Sequence, residues 1–195
     1  MLYQRKTTNN TVMEIRITTS HILKVLEILS WIIFIGLCIE AGALIFNTIY
    51  AMFKPVVAKH FWNGLDFSDL YTYDKVYFLM QMSLVITVAV IKLMIFYLIV
   101  KLFYDKKFTL SNPFNTTVTN VVQNIAYLCL GAGFFSMWSI RQMKWFGKKG
   151  ITMPDNHLLN IDGGDVWLFM AVVLIVLAQV FKKGIELQKE NDLTI

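Results

Sequence analysis

The sequence is poor in charge: aspartate, glutamate, lysine and arginine make up 16% of its 195 residues, against about 25% in soluble domains. Proline is nearly missing, with three, and glycine stops at ten, which excludes a collagenous or linker-rich chain. Two cysteines, Cys38 and Cys129, form no CxxC pair. Both fall inside apolar runs and read as small buried hydrophobes in separate spans, not as a disulfide or redox pair. There is no HxxxH or HExxH, no GxSxG, no nucleotide-binding glycine loop and no carboxylate pair in one expected pocket, so neither an enzyme nor a cofactor or metal site is expected. No tail combines a dense basic run with aromatics, so the net charge of +5 points to anionic headgroups and not to direct contact with nucleic acid.

Apolar length is what the chain has. Hydrophobic residues reach 56%, with a mean hydropathy of +0.56. Four runs approach or exceed the ~18 residues of a spanning helix: about 28–50, 76–101, 118–140 and 165–182. Inside lipid the backbone must satisfy its own hydrogen bonds, and runs of this length do so as helices. The expected fold is an all-α membrane protein, four transmembrane helices in an antiparallel bundle over 22–183. A polar tail, 1–21, precedes it and a C-terminal tail, 184–195, follows.

The first run is too long and starts too late for a cleaved signal peptide. Four spans put both termini on one side. Ten basic residues fall in the two tails and the second loop against seven in the first and third loops, which favours cytoplasmic termini. The third-loop set is Arg141, Lys144, Lys148 and Lys149.

In the first loop, Trp62, Phe67, Tyr71 and Tyr73 read as aromatics at headgroup level. Before the third span, Asn112 can cap a helix with Pro113 at its first position. The early turns of that helix line up Thr116, Asn120, Gln123, Asn124 and Tyr127. Such a polar stripe is expected to face the other helices. Gly36, Gly42, Gly131 and Gly133 permit close helix contact without GxxxG spacing, so a homo-oligomer is compatible with the sequence.

Two ionisable residues lie within spans, Glu40 and Lys92, and such residues are functional candidates because burying them is costly. Their positions in antiparallel runs leave roughly 10 Å between their levels, with Lys92 free to snorkel toward the cytoplasmic face. His60 and His157, with Asp155, Asp162 and Asp165 nearby in sequence, form at most a weak pattern for an external metal or pH-sensing site.

The tail FKKGIELQKENDLTI is polar and helix-favouring, with Glu186, Lys189 and Glu190 at helical spacing. Read with the apolar run before it, this segment resembles the C-terminal signature of a bacterial family of small four-span membrane proteins of unknown function. Gly184, Glu186, Leu187, Glu190, Asn191, Asp192 and Leu193 carry the likeness. SNPFN and IGLCIEAG look like that family too, so the resemblance covers about residues 25–195. It implies a bacterial cytoplasmic membrane as location. It also implies a neighbouring gene for a small Cro/C1-type helix-turn-helix regulator, and so a protein partner. Two functions follow as expectations: a membrane-bound partner or modulator of that regulator, or a small transporter or channel subunit using Glu40, Lys92 and the polar face with Asn120, Gln123 and Asn124. In both, the bilayer is the first partner.

Overall fold

The computed structural model describes residues 19–105 and 115–192. Among the described residues every regular element is helical. The long helices are α1 (Thr19–Phe53), α3 (Lys75–Tyr104), α4 (Thr116–Lys148) and α5 (Gly164–Asp192), with a short α2 (Ser68–Tyr73) between the first two. All four long helices are long and apolar enough to cross a membrane, and they pack in chain order, α1 on α3, α3 on α4 and α4 most extensively on α5. The chain is a multi-pass membrane protein built as a four-helix bundle.

Sequence chemistry explains the elements. In α1, Ile28, Ile32, Ile35, Ile39, Ile45, Phe46 and Ile49 are exposed on the bundle surface, the pattern of a helix solvated by lipid. Its polar side chains turn back on their own helix: Ser30, Asn47 and Thr48 donate to the carbonyls of Leu26, Ala43 and Leu44 at 2.7–2.8 Å, so each is satisfied without water. At the start of α3, the Asp74 carboxylate accepts from the backbone N–H groups of Val76 (2.6 Å) and Tyr77 (3.4 Å). Asp74→Ala is expected to cost about 1 kcal/mol through loss of this cap, read as a lower unfolding midpoint in detergent.

The segment between α1 and α3 is a small folded cap, which corrects the expectation of a headgroup loop. Phe61, Leu65, Phe67, Leu70 and Tyr71 are buried. The rings of Phe61, Phe67 and Tyr71 meet Phe78 of α3 edge-on at 5.3–6.4 Å. Only Tyr73 among the expected aromatics is well exposed, Trp62 being half-buried. Aromatics this dense bury more area against one another than a headgroup layer would recover. Asp66 organises the turn into α2 by accepting from the Ser68 hydroxyl (2.6 Å) and N–H (2.8 Å). Those bonds hold its carboxyl below the usual carboxylate range.

Two further boundaries differ from the sequence reading. Asn115 caps α4, accepting from the N–H of Thr117 at 2.8 Å, while Asn112 and Pro113 lie outside the described residues. α4 runs on to Lys148, so Arg141, Lys144 and Lys148 are helical residues and not loop residues. Cys129 is buried, but Cys38 is exposed on α1, and both thiols are free.

Candidate functional site

Beyond α4 the chain turns back along the helix it has just left. Gly150 takes a positive φ of 80°, a conformation that costs glycine little. Ile151, Leu159 and Ile161 are buried and pin the loop to the bundle. The Ser136 hydroxyl of α4 donates to the carbonyl of Ile161. Asn160 adopts the left-handed conformation (φ 52°), which asparagine tolerates better than most residues. α5 then starts against the middle of α4. A Cβ built on Gly133 would lie 2.6 Å from Leu168 Cγ and 2.8 Å from the Gly164 carbonyl oxygen; one on Gly164 would lie 2.7 Å from Met137 Cγ. Glycine at both positions lets the two backbones touch. Gly36 and Gly42, by contrast, have nothing within 4 Å of such a Cβ, so they do not hold helices together inside this bundle.

The returning loop brings the two intramembrane charges to one residue. The Asn160 side-chain amide donates to Glu40 Oε1 at 3.0 Å, and the Lys92 ammonium donates to the Asn160 carbonyl. Lys92 also sits 5.9 Å from the ring centroid of Trp167 in α5. The expected offset of roughly 10 Å is therefore absent. α1 and α3 are not flush at the loop end, because α1 stops at Phe53 and the folded cap fills the space above it, so Phe34 meets Tyr97 (6.3 Å). That register brings Glu40 opposite Lys92. Lys92 reaches toward the loop end, away from the termini. One asparagine, supplied from a third part of the chain, satisfies both groups.

Gly164 to Lys182 rises about 27 Å at the helical repeat, close to the ~30 Å of a hydrocarbon core. On α1, exposed Ile45, Phe46, Ile49 and Phe53 carry the apolar surface about 20 Å past Glu40 toward the loop end, so the contact lies within the apolar length of the bundle.

Between α4 and the returning loop lies a charged pocket of about 560 Å³. One wall is α4, with Arg141 and Lys144; the other is the returning loop and the first turn of α5, with Asp155, His157, Asp162 and Asp165. His157 Nδ1 pairs with Asp162 Oδ2 at 2.8 Å, and Asp155 accepts from the N–H of His157 at 3.1 Å. Among the described residues, no carboxylate comes within ion-pair distance of Arg141 or Lys144. The pocket therefore holds cations and carboxylates on facing walls, separated by open space. A second, apolar groove of about 370 Å³ adjoins it, lined by Phe134, Met137, Trp138, Arg141 and Leu168. Met137 and Arg141 belong to both.

The remaining expected residues fall elsewhere. Asn120, Asn124 and Tyr127 are exposed and Gln123 is half-buried; Gln123 donates to the Tyr127 hydroxyl at 2.8 Å. The stripe faces outward, contrary to expectation, because the packing side of α4 is its small residues Thr119, Ala126, Cys129, Ala132, Gly133 and Ser136. α5 continues unbroken through Gly184, Glu186 and Leu187 to Asp192, with Lys183 and Glu186 paired at 3.1 Å. Leu193 lies outside the described residues. His60 is an exposed residue of the cap, while His157 pairs with Asp162. Among the described residues, no three or more His, Cys, Asp or Glu side chains gather as a metal site. Asn160, Arg141 and Lys144 are the residues that sequence reasoning missed; Gly133 and Gly164, which meet where α5 starts against α4, are the signal that could have shown the loop returning.

The chain belongs to a family of proteins of unknown function (DUF2975), whose profile matches residues 1–195. That match also takes in the first twenty or so residues, which the resemblance noted above did not cover. No curated protein and no solved structure matches the chain.

Proposed function

We propose that this protein is a membrane-embedded sensor, reading a ligand at the loop end of the bundle and passing its state to a protein partner on the side of the termini. One observation carries the proposal: α5 is a single uninterrupted helix from Gly164 to Asp192. Its first turn contributes Gly164 and Asp165 to the charged pocket, and its last turns bear the polar tail. A single helix that reaches both sites is one physical route by which they can be coupled. The family resemblance supplies the partner, a small helix-turn-helix regulator held at the cytoplasmic face of a bacterial membrane. In this reading the Glu40–Asn160–Lys92 contact is a structural lock, since both charges are already engaged.

The test is capture of partners from gently solubilised native membranes. Deleting Gly184 to Ile195 is expected to leave insertion and protein level intact and to abolish recovery of a helix-turn-helix protein. Equal recovery with the truncated chain would overturn the docking role of the tail.

A second reading, a small transporter or channel subunit, draws on the outward amide stripe of α4, which in lipid gains partners from another copy of the chain. It predicts altered flux in Glu40→Gln and Lys92→Met at unchanged protein level. Wild-type flux in both would rule it out.

A further inference from the structure

We propose that the loop-end pocket and its adjoining groove form one binding site for an aminophospholipid, the phosphate against Arg141 and Lys144, the ammonium against Asp155 and Asp165, and one acyl chain along Phe134, Trp138 and Leu168. The proposal deepens the sensor reading and rests on it for its biological meaning.

Three independent features point to this ligand. The first is charge. The cations stand on α4 and the carboxylates on the opposite wall, and neither cation is neutralised by a described carboxylate. A simple anion would meet the aspartates and a simple cation the basic pair, whereas a molecule carrying both charges complements both walls. Arginine suits a phosphate because its planar fork bonds two oxygens at once. The second is continuity. The polar pocket opens into an apolar groove through Met137 and Arg141, which line both. Phe134 and Trp138 remain 59% and 43% exposed, so the groove is uncovered by the protein itself. A headgroup joined to a chain has this polarity along its length.

The third feature is orientation. Arg141 originates about 12 Å beyond Gly133 on the helical rise. Side chains on a helix lean toward its N-terminus, so Arg141 and Lys144 lean back toward Phe134 and Trp138, and Arg141 lines both the pocket and the head of the groove.

Full-length protein in phosphatidylcholine nanodiscs, titrated with lipids brominated on the acyl chain, tests the site through quenching of Trp138; the Trp138→Phe variant defines the background of the other tryptophans. Phosphatidylethanolamine is expected to reach half-maximal quenching at about fivefold lower mole fraction than phosphatidylglycerol, which lacks the amine. Asp155→Asn with Asp165→Asn should erase that preference, since those carboxylates hold the amine; both residues are exposed, so folding is not at stake. Equal midpoints for the two lipids in the wild type, or a preference that persists in the double variant, would overturn the proposal. Release of brominated phosphatidylethanolamine by millimolar soluble phosphoethanolamine would also overturn it, in favour of a free zwitterion. These midpoints do not depend on the tail. Loss of lipid preference with tail-dependent partner capture intact would sink this proposal alone, and the converse would sink the sensor reading alone.

Discussion

Gly133→Ala is expected to destabilise the protein by about 1–3 kcal/mol, the cost of overpacking a closed contact, although alanine raises intrinsic helix propensity by about 1 kcal/mol over glycine. The added methyl would sit 2.8 Å from the Gly164 carbonyl oxygen and 2.6 Å from Leu168 Cγ. The leucine can rotate; the carbonyl belongs to the backbone and cannot. To relieve the clash, α5 must move off α4, which also drags away the Ser136 contact to Ile161 and opens the floor of the charged pocket. Gly36→Ala and Gly42→Ala are the controls, since no atom lies within 4 Å of a Cβ at either site. Both should unfold at or above the wild-type midpoint in a detergent melt followed by helical circular dichroism. Equal midpoints for Gly133→Ala and these controls would show that the close α4–α5 approach is not part of the fold.

The second large effect is at Asn160. Asn160→Gly keeps the left-handed backbone and removes only the amide that donates to Glu40. A carboxylate stripped of its donor at this depth costs about 1–3 kcal/mol. Asn160→Ala should be worse by about 1 kcal/mol or more, because alanine pays for the positive φ as well. If the loss arises from the stranded carboxylate, Glu40→Leu in the Asn160→Gly background should restore most of it, a coupling that a double-mutant cycle measures directly. Additive losses would mean that Glu40 and Asn160 do not communicate.

These two sites mark where sequence reasoning stopped. The four crossings were legible because apolar length is a local property that each run states for itself. The lock was not, since Asn160 lies 120 positions from Glu40 and 68 from Lys92; no spacing rule connects them. Phe67 and Tyr71 look the same in sequence whether they face headgroups or one another, and only tertiary packing placed them in a core. The stripe on α4 was found at the right residues and assigned the wrong direction. Helix periodicity identifies a face, but Gly133, Ala132 and Ser136 decided which face packs. The charged pocket was half visible: Asp155, His157, Asp162 and Asp165 stood out, whereas Arg141 and Lys144 were read as loop residues because α4 outlasts its apolar run. The outward chemistry of the tail, Gly184 to Asp192, was readable, but its unbroken connection to the pocket through α5 needed the structure.

That connection is the centre of the account, and hydrogen exchange tests it most directly. Backbone exchange at residues 184–192 is compared in native-lipid nanodiscs between the wild type and a variant altered only at the far end, Asp165→Asn with Arg141→Gln. Coupling of the usual 1–3 kcal/mol corresponds to roughly 5–150-fold, so tail exchange is expected to change at least several-fold while α1 stays as it was. Identical exchange at 184–192 in both proteins would contradict a sensor that reports through α5.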